Sequence, residues 1–177
     1  MVAESIFREN VHHRHDITGA SEMAAQVSLK LERVKDLKFN VNLQDGRRIE
    51  LNSADEMGQA FTPMELFLIG LAGCTAMDVQ WIMDKQRQQV DRLEISARGT
   101  RRDEDPRYYE TIDLEYTLAG PSIRKDAVEK AIRLSQEKYC SVRAMVTNNV
   151  KINITYKIAN GTEPEQKYVY TPPHASD

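Results

Sequence analysis

FTPMELFLIGLAGCTAMDVQWIM, residues 61–83, is the stretch on which the fold turns. Thr62 followed by Glu65 is a capping box: hydroxyl and carboxylate each bond a free N–H at a helix start. Pro63 falls at the first helical position, where no N–H is needed. From Leu66 to Met77 nearly every side chain is apolar or small, so the spacing leaves no solvent stripe and predicts a helix buried on all sides. Gly70 and Gly73 each cost roughly 1 kcal/mol relative to alanine in a helix, which is tolerated where another backbone or a ligand comes close. Cys74 stands beside that thin spot. Beyond Trp81 the helix turns amphipathic, and it is expected to end near Gln89.

Strand patterns flank the helix. On the N-terminal side Val27, Leu29 and Leu31, then Leu37, Phe39, Val41 and Leu43, then Ile49 and Leu51 alternate with polar residues, the period of half-buried strands. Asp45-Gly46 marks a hairpin turn between the second and third, because glycine supplies positive φ. On the other side Leu93, Ile95 and Ala97 pair by pattern with Ile112, Leu114, Tyr116 and Leu118 across a charged loop at 101–106. After Gly120-Pro121-Ser122, the residues Ile123, Ala127, Val128, Ala131, Ile132, Leu134 and Ser135 follow helical spacing to about Tyr139. Cys140 lies at that helix's C-terminal edge, and Ser141 caps a further short turn. Val150, Ile152, Ile154, Tyr156 and Ile158 form a last strand, and the polar tail after Gly161 reads as an arm. Strands, buried helix, strands, helix, strand is an α+β order with antiparallel sheets.

Composition narrows the function. With 24 Lys+Arg against 27 Asp+Glu, a net charge of −3 gives no general attraction for phosphate backbones or anionic lipid, so neither nucleic acid nor membrane is an expected partner. The N-terminus lacks an apolar h-region, and the apolar run stops at Asp78, short of the roughly 20 residues of a bilayer span, so the expected location is cytoplasmic. His12, His13 and His15 surround Arg14, but no second cluster completes a coordination sphere, and they read as a solvated arm or an oligomer contact. No Gly-rich phosphate loop and no GxSxG is present, and no cofactor is expected. The two cysteines stand 66 positions apart, too few for a disulfide scaffold and without zinc-knuckle spacing. They are inert core thiols or a redox pair, and no metal site is expected.

Two segments carry a resemblance. Residues 62–79, TPMELFLIGLAGCTAMDV, and residues 135–142, SQEKYCSV, are similar to the two cysteine segments of the OsmC/Ohr family, and within it to the YhfA-like subgroup. The likeness runs from about Val27 to Ile158, leaving residues 1–26 as an N-terminal extension and 159–177 as a C-terminal tail. It implies an intertwined homodimer, its sheets wrapped around paired central helices, with two sites at the subunit interface. It also implies thiol peroxidase chemistry on organic hydroperoxides. Cys74 would be the attacking thiol, and Cys140 the resolving thiol whose disulfide a dithiol reductant reopens.

Peroxidase members typically add an arginine from the early sheet and a glutamate directly after the proline. Here Met64 follows Pro63, Glu65 has a capping duty, and Arg47 and Arg48 lie in the right segment without a motif to choose between them. A non-enzymatic binding or thiol-carrier protein on the same fold is therefore the alternative. Asp78, four residues past Cys74 on the same helical face, reads as solvated, paired with an arginine, or a site carboxylate.

Overall fold

The computed structural model describes residues 27–53, 60–146, 149–161 and 166–170. The N-terminal extension with its histidines, the acidic loop at 54–59 and Asn148 lie outside the described residues. Alternation in the first third becomes a three-stranded antiparallel sheet, β1 (Leu29–Lys35), β2 (Lys38–Leu43) and β3 (Arg48–Leu51), in that order. Gly46 in the β2–β3 turn takes φ +86, the conformation that glycine permits, and Asp45 accepts from the Arg47 N–H at 3.0 Å. Backbone bonds between Asn52 and Phe61 and between Phe61 and Glu50, 3.1 Å each, fasten the end of β3 to the residue before the helix.

Helix α1 (Pro63–Lys85) starts as its sequence predicts. The Thr62 N–H donates to Glu65 Oε2 at 2.7 Å and the Glu65 N–H donates to Thr62 Oγ1 at 3.2 Å, which holds the Glu65 carboxyl below its usual range. It ends one turn before Gln89, where Arg87 enters positive φ and the Gln88 N–H turns back to the Met83 carbonyl.

The second sheet has the order β4 (Arg92–Arg101), β5 (Tyr109–Gly120), β6 (Lys151–Asn160), β7 (Gln166–Tyr170). Its central pair corrects the expectation of antiparallel sheets: β5 and β6 run parallel, Leu114 beside Ile154 and Tyr116 beside Tyr156, so the sheet is mixed. Parallel neighbours need a long crossover, here supplied by α2 (Lys125–Leu134), a π-helical turn (Ser135–Tyr139) and α3 (Ser141–Met145). Residues 166–170 of the tail are the sheet's edge strand rather than an arm, paired with β6 and held by Lys167 Nζ to Glu115 at 2.7 Å.

The core lies between this sheet and the helices. Alternate residues of β5 (Ile112, Leu114, Tyr116, Leu118) meet Leu71, Val79, Ile82 and Met83 of α1 and Ala127, Val128, Ala131 and Ile132 of α2, all buried. Each large apolar side chain so buried contributes about 1.5–3 kcal/mol.

Among the described residues helix α1 is covered on one side only, which departs from the all-round burial its sequence predicts. Ile69 is 51% exposed and Met77 76% exposed, and outside the adjoining turns of α1 itself no described residue lies within 4 Å of where a Cβ would stand on Gly70 or Gly73. Every residue of β1 is exposed as well, Leu29 and Leu31 included. By length and composition α1 is long and apolar enough to cross a membrane, with a mean hydropathy of 1.5; here it is the helix on which the core is built.

Candidate functional site

Three elements bring the site together. Cys74 and Asp78 stand one turn apart on α1, at the i and i+4 positions that share a helical face. Where α2 would continue, the chain widens into the π-helical turn, starting at the buried Ser135 and delivering Cys140 as N-cap of α3. Such turns recur at functional sites because they re-aim the residues that follow. The Cys74 sulfur, a carboxylate oxygen of Asp78 and the Cys140 sulfur all lie within 4.8 Å of one another. The cysteines are therefore neighbours in space across 66 positions of chain, both as free thiols, Cys74 half-buried and Cys140 buried.

The electrostatics differ at each member. Burial pushes the Cys140 thiol up to about 12, and the nearby Cys74 and Asp78 add to the rise; the Arg143 N–H, 3.3 Å from the sulfur, works against it. Cys140 is thus a protonated thiol at neutral pH. Burial also raises the Asp78 carboxyl, opposed by the hydroxyl of Ser135, which donates to Asp78 Oδ2 at 3.0 Å. Among the described residues Asp78 makes no ion pair, and the arginine-paired reading of this residue is not met there.

Behind the carboxylate runs a chain of buried hydroxyls that sequence reading missed. Ser135 Oγ is 2.8 Å from Thr75 Oγ1, which is 2.6 Å from the Tyr116 hydroxyl and accepts from Gln136 Nε2 at 3.2 Å. Thr75, Ser135 and Tyr116 are fully buried, and each finds its partner in the others. Thr75 is a hydroxyl placed in an otherwise apolar run, the one signal by which this network was visible beforehand.

The other residues singled out by the sequence fall elsewhere. Arg47 is bound to Asp45 in the hairpin turn through Nε at 2.7 Å, and Arg48 is exposed on β3. Glu65 is a cap. Further along α1, Met77 is exposed, Met83 is core, and Trp81 packs edge-on to Tyr139 at 5.5 Å.

An α+β fold built on a long central helix, with a crossover helix packed against it, is the architecture the chain presents. Sequence comparison gives it a family: the OsmC-like protein family profile matches residues 55–155, and the chain belongs to that family. Protein YhfA of Escherichia coli strain K12 is 36% identical over 131 residues, 73% of this chain and 96% of that protein. A crystal structure of a hypothetical protein from Aquifex aeolicus superposes with a TM-score of 0.69 at 31% identity, covering 77% of this chain and 98% of that one. An organic hydroperoxide resistance protein OsmC from Legionella pneumophila superposes with a TM-score of 0.62 at 15% identity, covering 78% and 99%. At that identity the likeness is one of fold.

Proposed function

We propose that the chain is a cysteine-based peroxidase that reduces organic hydroperoxides in the cytoplasm. Cys74 is the peroxidatic thiol, Cys140 the resolving thiol, and a homodimer the working form. The observation that supports this is the approach of the two sulfurs to within 4.8 Å, with Cys74 half-buried and Cys140 buried. The name of the Legionella fold neighbour points the same way.

In this reading the Cys74 sulfur, as thiolate, attacks the outer peroxide oxygen. The O–O bond breaks, the alkoxide takes up a proton and leaves as alcohol, and the sulfur becomes a sulfenic acid. Cys140 then attacks that sulfur, the S–S bond forms and water leaves. The sulfurs must close to about 2.05 Å for this. An external dithiol returns both thiols and becomes a disulfide itself. The exposed apolar residues of β1 and α1 are the surface that a second copy would cover.

Stopped-flow mixing with cumene hydroperoxide tests the reading. One equivalent consumed with loss of two thiols is expected, and Cys74→Ser should abolish it; slow consumption at the rate of free cysteine would overturn it.

A second reading, a binding or thiol-carrier protein without turnover, is favoured by Met64 directly after Pro63 and by the Arg47–Asp45 pairing, which leaves the thiols no arginine from that position. Thiol-specific adduct formation without peroxide consumption is its signature.

A further inference from the structure

We infer that Cys74, Asp78 and Cys140 form a binding site for a zinc-class divalent cation, with two sulfurs and one oxygen as protein ligands and a fourth position open to solvent. The donor set comes first. Two thiols and a carboxylate suit a borderline-soft cation and do not suit calcium or magnesium, which take oxygen ligands. The backbone supplies the arrangement: Cys74 and Asp78 at i and i+4 on one long helix are a rigid pair, and Cys140 closes the triangle from a different element.

Size agrees. Around a tetrahedral zinc, with Zn–S of about 2.3 Å and Zn–O of about 2.1 Å, neighbouring donors stand roughly 3.6–3.8 Å apart. The three donor atoms here lie within 4.8 Å of one another, so a contraction of at most about 1.2 Å brings them to that geometry.

The surroundings carry the inference further than the triangle alone. Metal-bound carboxylates and thiolates are held by outer hydrogen bonds that fix their direction. Asp78 already accepts from the buried Ser135 hydroxyl at 3.0 Å, itself anchored to Thr75 at 2.8 Å, and the Cys140 sulfur already accepts from the Arg143 N–H at 3.3 Å. The half-buried Cys74 gives the ion an entrance, while Cys140 forms the closed end. Binding releases the protons of both thiols to solvent, and the two thiolates and the carboxylate meet the ion's charge. The short-range zinc-knuckle spacing absent from the sequence is replaced by convergence in space.

This site does not depend on the peroxidase reading, although it uses the same sulfurs. A disulfide between them would remove two ligands.

Cobalt(II) added to the reduced, chelator-treated full chain is the test, followed by its thiolate charge-transfer absorption in the near ultraviolet and by its tetrahedral visible bands. One equivalent per chain is expected. Cys74→Ser and Cys140→Ser should each cut the charge-transfer intensity by about half or abolish binding, and Ser135→Ala should weaken affinity about 10–100-fold. Cobalt bound by the N-terminal histidines carries no sulfur band and is thereby told apart. Absence of the sulfur band at one equivalent, or a band of unchanged strength in Cys140→Ser, would overturn the inference. Circular dichroism of each variant verifies that it is folded, and if Cys140→Ser is not, cadmium displacement of cobalt from Ser135→Ala decides the point: unchanged affinity there overturns it.

Discussion

Ser135 and Asp78, 57 positions apart in the chain, meet at 3.0 Å with the serine hydroxyl donating to the carboxylate. The contact ties the first turn of the π-helical segment to the face of α1 that carries Cys74, so the two sulfurs inherit their separation from a buried polar joint. Thr75 is the hub of that joint, touching Ser135, Tyr116 and Gln136.

Thr75→Val tests the joint. The substitution keeps the branched shape and removes the oxygen, leaving the buried Tyr116 and Ser135 hydroxyls each short of a partner. An unsatisfied buried polar group costs about 1–3 kcal/mol, so destabilisation in that range is expected from urea unfolding monitored by circular dichroism. Unchanged stability would mean that the hydroxyls find other partners at little cost.

Much of the fold was legible because it is written in local chemistry. Thr62 and Glu65 bond each other across three residues, and Asp45-Gly46 closes its turn with glycine's positive φ and a bond to Arg47 two residues on, so both could be read locally. The parallel pairing of Ile112 beside Ile152 could not, since alternation reports which face is buried and is silent on which strand lies alongside. Strand β7 was hidden because Gln166 and Lys167 dilute the pattern of Tyr168 and Tyr170. In the site, Asp78 was visible through its spacing from Cys74, whereas Ser135 and Tyr116 join only through packing that no periodicity encodes.

The edge strand carries an acid-sensitive clamp. Lys167 and Lys157 approach the Glu115 carboxylate at 2.7 and 2.9 Å and hold it at about 2, below its usual range. A carboxylate with a depressed value contributes stability that is present above the unfolded-state value near 4.3 and is lost as pH falls toward about 2. Hydrogen exchange of the β7 amides should therefore speed up relative to β5 between pH 4 and pH 2, and Glu115→Gln should remove that pH dependence.

Cys140 should resist alkylation. With its thiol pushed up to about 12, the reactive thiolate is scarce at pH 7.5. Iodoacetamide labelling of the folded chain in the presence of a chelator, located by mass spectrometry, should leave Cys140 unmodified while the urea-unfolded chain is labelled fully. Its rate should climb about tenfold per pH unit through pH 10 without levelling near 8.5. Because the raised thiol favours its neutral form, stability from this group is present below the unfolded value and declines as pH rises from there toward 12. Fast labelling at pH 7.5 would show that the chain opens around Cys140 more readily than its burial suggests.

Gly70 and Gly73 separate a lone chain from a paired one. Among the described residues nothing outside the adjoining turns of α1 lies within 4 Å of a Cβ built on either, and the nearby Ile69 and Met77 are exposed. If α1 works alone, Gly70→Ala and Gly73→Ala should each stabilise the protein by up to about 1 kcal/mol, because alanine loses less backbone entropy in a helix. If a second α1 packs against this face, as the proposed homodimer requires, the added methyls stand where the two backbones approach. They should then weaken association by overpacking, at about 1–3 kcal/mol. Sedimentation of wild type and of the double alanine variant over a range of concentrations, with thermal melts of both, reads the two quantities. A dimer in wild type that dissociates in the variant supports the paired helices; a monomer in both, with higher thermal stability in the variant, rejects them.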